Sequence, residues 1–182
     1  MTSALPRRVG ATLLIASLLG GCGLNVAETP PPSGPLPTAL PSLPPSVEGT
    51  RTALDAALRA GAHVGLEDAP EAYRPAEPPA FVYVPRAVAK VRLPNDPNRL
   101  YVVLYAFPDV ATATGAAHEA AAFYAGGPAL VQFPADTRFA VSQVGEVIVF
   151  SAWSPSTTTD PQAAPAAFDV IRGFGQAFPI GA

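Results

Sequence analysis

The sequence predicts an α+β fold over residues 51–182: a two-layer sandwich, mainly antiparallel sheet, with helices on one face. Three observations carry this expectation. Strand-like stretches come in close pairs, separated only by Pro94–Asn98 and by Gly145-Glu146, and hairpins favour antiparallel pairing. Helix-like stretches fall between and after these pairs, which segregates them to one side of a sheet. About 130 residues can bury roughly two-thirds of the surface that the unfolded chain exposes, enough for a real core.

Each element has a local reason. Thr52 with Asp55 three residues on makes a weak capping box, followed by Leu54, Ala57 and Leu58 on one helix face and by Gly61 as a stop. Ala62-His63-Val64 reads as a short strand. Residues 65–80 read as a surface loop, with Glu67, Asp68, Glu71 and Glu77 solvated among Pro70, Pro75, Pro78 and Pro79. These carboxylates lack the D-x-D-x-D-G spacing of a calcium loop. Phe81–Val84 begins a strand region that Pro85 interrupts. It resumes at Val88, where Lys90 and Arg92 alternate with Ala89, Val91 and Leu93, leaving one face wet.

Leu100–Phe107 is almost wholly apolar, the composition of a central strand buried on both faces. Asp109 is an N-cap for a helix to about Ala125, with Ala113, Ala117, Ala120, Ala121 and Tyr124 near one face and Gly126-Gly127-Pro128 as the stop. Phe139–Val144 and Val147–Trp153 form a hairpin, and Gly145 as first residue of a two-residue loop fits a type II′ turn. Asp160-Pro161 offers a cap followed by proline at the first helical position, with Pro165 as the alternative start. Ala167, Val170, Ile171 and Phe174 form the inward face of this last helix. Helix followed by hairpin occurs twice, a cyclic permutation of the ferredoxin-like order.

The N-terminus carries a different signal. Arg7 and Arg8 precede an uncharged apolar run, Val9–Gly21. Its length suits a signal-peptide core and falls short of the roughly 20 residues that span a bilayer. The run ends in Leu19-Gly20-Gly21-Cys22. This resembles the lipobox of bacterial lipoproteins: an aliphatic residue, two small residues, then cysteine. The resemblance implies residues 1–21 as signal peptide, a diacylglyceryl group on the Cys22 thiol, and a fatty acyl group such as palmitate on its new amine. Two or more chains, at about 0.8 kcal/mol per buried CH₂, anchor a protein durably. Cys22 is the only cysteine, so this use leaves no disulfide and no thiol chemistry.

Residues 22–50 read as the lipidated cysteine and a proline-rich, disordered tether. Prolines 30, 31, 32, 35, 37, 41, 44 and 45 fall in this stretch and push the chain towards extended or polyproline II geometry. The spacing Pro32-Ser33-Gly34-Pro35 is also that of ligands for aromatic grooves. Lipobox, tether and one small α+β domain together resemble the layout of a loose group of uncharacterised bacterial lipoproteins. That likeness lends no catalytic residue to any position.

Composition excludes several classes. Formal charge is −3 for the whole chain, and loss of Arg7 and Arg8 makes it more acidic. There is no basic block, so no electrostatic footprint for nucleic acid. His63 and His118 stand in no H-E-x-x-H or H-x-H spacing, and zinc needs three or four protein ligands. No G-x-S-x-G elbow, G-x-G-x-x-G turn or Walker loop occurs. No metal, cofactor or catalytic residue is expected. Tyr73, Arg74, Phe133 and Trp153 stand at or beside loops, and Tyr, Trp and Arg dominate binding hot spots. They are the candidate surface for a ligand or partner, with plugging of the sheet ends as the plainer role. The functional expectation is a non-enzymatic, membrane-anchored extracytoplasmic lipoprotein, periplasmic or at the cell surface. Its domain binds or scaffolds an envelope protein or small ligand. A small cell-envelope hydrolase is the alternative.

Overall fold

The computed structural model describes residues 44–69 and 75–181. Helix α1 (Pro45–Ala62) starts earlier than the sequence suggests. Pro44 is its N-cap with extended backbone, and Pro45 opens the first turn, where a missing N–H costs nothing and the fixed φ is already helical. Val47 and Thr50 are buried. Residues 45–50, assigned above to the tether, therefore belong to the domain. Thr52 and Asp55 lie inside the helix and cap nothing. Asp55 instead pairs with Arg59 and accepts the Leu66 backbone N–H at 2.6 Å. The helix runs through Gly61 and ends at His63, whose φ is 57°.

Strand β1 (Leu66–Asp68) follows, shifted from the expected Ala62–Val64. Phe81–Val84 is not a strand: Pro79–Phe81 forms a 3-10 turn, because Pro78 and Pro79 hold φ near helical values. Phe81 is buried, its ring edge-on to Tyr105 and Phe107. Then come β2 (Arg86–Val91), β3 (Tyr101–Ala106), α2 (Val110–Ala125) and a single turn, α3 (Gly127–Leu130). They are followed by β4 (Arg138–Val144), β5 (Val147–Trp153), α4 (Ala163–Arg172) and β6 (Gln176–Ala177). Asp109 caps α2 as expected, accepting the Thr112 N–H at 2.7 Å. At the β4–β5 turn Gly145 has φ 58° and Glu146 does not, the pattern of a type II′ turn.

The fold is α+β, with a six-stranded antiparallel sheet in the order β1-β2-β3-β5-β4-β6. It is not closed into a barrel. Both edge strands are very short, which limits edge-to-edge association. Successive residues of β3 face opposite sides. Val102, Leu104 and Ala106 pack with Leu54, Leu58, Phe168 and Ile171. Val103, Tyr105 and Phe107 pack with the alanines of α2 and with Tyr124. Helices α1 and α4 thus cover one face and α2 the other. The expectation of two layers with helices on one face is corrected to three layers.

Handedness explains the difference. β3 and β4 both run antiparallel to β5, so they are parallel to each other, and α2 joins them across β5. β5 and β6 are both antiparallel to β4, and α4 joins them across β4. These are two split β-α-β units. Both crossovers step towards the β6 edge, but they leave from antiparallel strands. Two crossovers of the same hand must then lie on opposite faces. The ferredoxin-like arrangement keeps both helices on one face because its second crossover steps back.

Candidate functional site

One end of the sheet carries a small aromatic slot. β3 begins there with Tyr101, and β5 ends there with Trp153. Three loops close around them: 94–100, 131–137 and 154–160. Each is stitched to its neighbours by buried or short polar contacts. The Asp96 carboxylate, itself buried, accepts the Thr158 hydroxyl at 3.0 Å and the Thr159 N–H at 2.9 Å. Asp160 accepts the Asn95 N–H at 3.1 Å and the Ala163 N–H at 3.0 Å. Asp136 accepts the Ser156 N–H at 2.6 Å and the hydroxyls of Ser154 and Ser156. Most of these bonds join residues far apart in sequence, so the carboxylates hold together loops that have no ladder of their own.

The result is a cavity of about 170 Å³ lined by Arg99, Tyr101, Phe133, Pro134, Thr137 and Trp153, among others. Trp153 is 7 % exposed and packs on Phe168, while the Arg138 guanidinium lies 5.4 Å from its ring centroid, within cation–π range. Trp153 Nε1 and Thr137 Oγ1 are buried without hydrogen-bond partners. Phe133 is half-buried and edge-on to Phe139. Leu100, at the head of β3, has φ 58°, an uncommon conformation for a branched side chain. It is nevertheless buried, at 3 % exposure. Hydrogen bonds from Ser154 and then Ser156 hold the Asp136 carboxyl below its usual range.

Two of the four candidate surface residues, Phe133 and Trp153, are brought together in this slot. Tyr73 and Arg74 lie outside the described residues, as does Cys22. Tyr101, Thr137 and Arg99 escaped the sequence reading. Tyr101 looked like ordinary strand, and its end position becomes visible only once β3 pairs with β5. No family model, curated protein or solved structure matches the chain.

The slot's lining mixes aromatic and polar residues, and the Trp153 ring packs with Phe168 on the opposite sheet face from Phe133. Arg99 is more than half exposed, and its Nε lies 4.0 Å from Asp96 Oδ1. His63 caps α1, and His118 is exposed on α2 with its ring edge-on to Phe178. Among the described residues no cluster of three or more His, Cys, Asp or Glu has metal-binding geometry. No described helix is long and apolar enough to cross a membrane.

Proposed function

We propose that this chain is a membrane-anchored extracytoplasmic lipoprotein, lipidated at Cys22, whose domain recognises an envelope protein through the Trp153 slot. The supporting observation is the convergence of Tyr101, Phe133 and Trp153 around about 170 Å³. Pockets that engulf a whole small molecule run to about 300–1,000 Å³. A smaller aromatic slot suits one or two ring-sized groups of a larger partner. The anchor reading rests on Leu19-Gly20-Gly21-Cys22 and the apolar run before it.

The hydrolase alternative would draw on Ser154 and Ser156, whose hydroxyls both reach Asp136. A carboxylate held below its usual range is a weak base, and general bases work best with a pKa near the operating pH. Binding without catalysis is the better-supported reading.

Two measurements test it. Cys22→Ser releases the protein from membranes or leaves it as uncleaved precursor; retention in correctly processed, membrane-bound form sinks the anchor. A photo-crosslinking residue at Arg99 of the full chain yields a discrete adduct in cells that Phe133→Ala removes while circular dichroism is unchanged. An adduct indifferent to Phe133 counts against the slot.

A further inference from the structure

Strand β4 is only half covered along its outer edge. β6 pairs with Ser142 and Gln143, and the Phe178 N–H donates to the Val141 carbonyl at 2.9 Å. Pro179 comes next, with no N–H to carry the ladder on. Backbone groups alternate sides along a strand, so Phe139 presents its N–H and C=O to the same edge as Val141. Among the described residues no strand or tail pairs with them there. Such an open edge is a template for another strand.

Arg138 and Phe139 also line a groove of about 380 Å³. Phe168 and Arg172 of α4 border it from one face of the sheet, and Leu130 and Ile180 border it from the other. The groove therefore lies across the edge of the sheet, over neither face alone. Its rim is openly apolar: Leu130 is 45 % exposed and Val131, next in the chain, 86 %. It shares only Thr137 with the aromatic slot.

Charge selects the guest. No acidic side chain lines the groove. Arg138 is exposed, rests beside the Trp153 ring and has no carboxylate partner among the described residues. Arg172 pairs with Asp169 at 3.0 Å, but both side chains are more than three-fifths exposed, and such surface pairs are weak. A second copy joined edge to edge would bring Arg138 and Arg172 of both chains to one seam, and like charges suppress a partner.

We propose that the open edge of β4 takes an extended, carboxylate-bearing segment of another protein as an added strand. Main-chain bonds to Phe139 hold the guest, the groove takes its alternate apolar side chains, and Arg138 with Arg172 binds its carboxylate. This site is independent of the slot.

The test uses the ¹⁵N-labelled full chain in detergent micelles and a displayed library of random short peptides. Selection is expected to enrich peptides that alternate apolar residues and carry Asp or Glu. The best of them, made synthetically, slows hydrogen exchange at the Phe139 amide about tenfold at saturation and leaves α1 amides unmoved. Arg138→Gln, with circular dichroism unchanged, weakens its binding about tenfold. Replacing the peptide's acid by the matching amide weakens it equally, and the two changes together cost no more than either alone. Three results overturn the proposal: no enriched sequence, enriched peptides that leave Phe139 exchange unchanged, or binding indifferent to Arg138→Gln. Protection of Phe139 that rises with protein concentration in the absence of peptide also overturns it, because a second copy then covers the edge.

Discussion

Glu77 Oε1 lies 2.6 Å from Arg86 Nη1 and accepts the Tyr105 hydroxyl at 2.8 Å. The Glu77 side chain is 4 % exposed and that of Arg86 17 %, and Tyr105 is fully buried. Burial first, and then the Glu77 charge, push the Tyr105 hydroxyl far above its usual range. The sequence reading placed Glu77 in a solvated acidic loop. Its carboxylate instead ties residues 75–78 to β2 and β3 under α2, where Tyr124 also donates to the Ala76 carbonyl at 2.7 Å.

Glu77→Ala removes the carboxylate that Arg86 Nη1 and the buried Tyr105 hydroxyl share. Breaking one side of a buried pair costs about 3–5 kcal/mol, and the 17 % exposure of the Arg86 side chain puts this case at the lower end. A fall in the urea midpoint corresponding to about 3 kcal/mol is expected at an unchanged m-value. A loss below about 0.5 kcal/mol, as at a surface site, would contradict the buried network.

Asp160 joins loop 94–100 to the start of α4. Hydrogen bonds from the Ala163 and Asn95 N–H groups hold its carboxyl below the usual range, against the opposing effect of burial. A folded-state pKa below the unfolded value gives stability that is present above about pH 4 and lost as pH falls through the folded value. Asp160→Ala therefore costs about 1–2 kcal/mol at neutral pH, the worth of a helix cap. The difference in Tm from the parent chain shrinks as pH falls below about 4. A difference that stays constant down to pH 2 would show that the carboxylate charge plays no part.

Gly145 and Gly175 both have positive φ, 58° and 78°, but their surroundings differ. A Cβ at Gly145 meets nothing within 4 Å, whereas one at Gly175 falls 2.5 Å from the Gln143 carbonyl oxygen. Gly145→Ala costs only the left-handed backbone strain, about 1–2 kcal/mol. Gly175→Ala adds a backbone collision that β6 can relieve only by leaving β4. Hydrogen exchange at Phe178, whose N–H bonds to the Val141 carbonyl, accelerates in Gly175→Ala and not in Gly145→Ala.

Trp153→Phe separates the role of the indole nitrogen from that of the ring. The nitrogen has no partner, so its removal forfeits no hydrogen bond within the domain. The remaining ring keeps most of the contact with Phe168. A loss below about 2 kcal/mol is expected for Trp153→Phe, against about 3–5 kcal/mol for Trp153→Ala. Chemical denaturation measures both, and equal losses would place a structural hydrogen bond at that nitrogen.

Local chemistry was legible where one residue decides the outcome. Asp109 caps α2, Gly145 turns the hairpin, and the apolar run at Leu100–Phe107 becomes a central strand because nothing else buries both its faces. Thr52 misled because a capping pattern is only a preference, and Pro44-Pro45 supplied a helix start about two turns upstream. Within the slot, Phe133 and Trp153 were visible as loop aromatics, while Tyr101 was hidden inside a strand pattern.

The sequence by itself determined most of the element types and the antiparallel hairpins. These depend on neighbours a few residues apart. Only the tertiary structure decided that helices lie on both faces, that Glu77 is buried, and that loops 94–100, 131–137 and 154–160 meet at Trp153. The first of these follows from β6, a two-residue strand too short to announce itself. Its place beyond β4 sets the direction of the second crossover, and the handedness of that crossover puts α4 opposite α2.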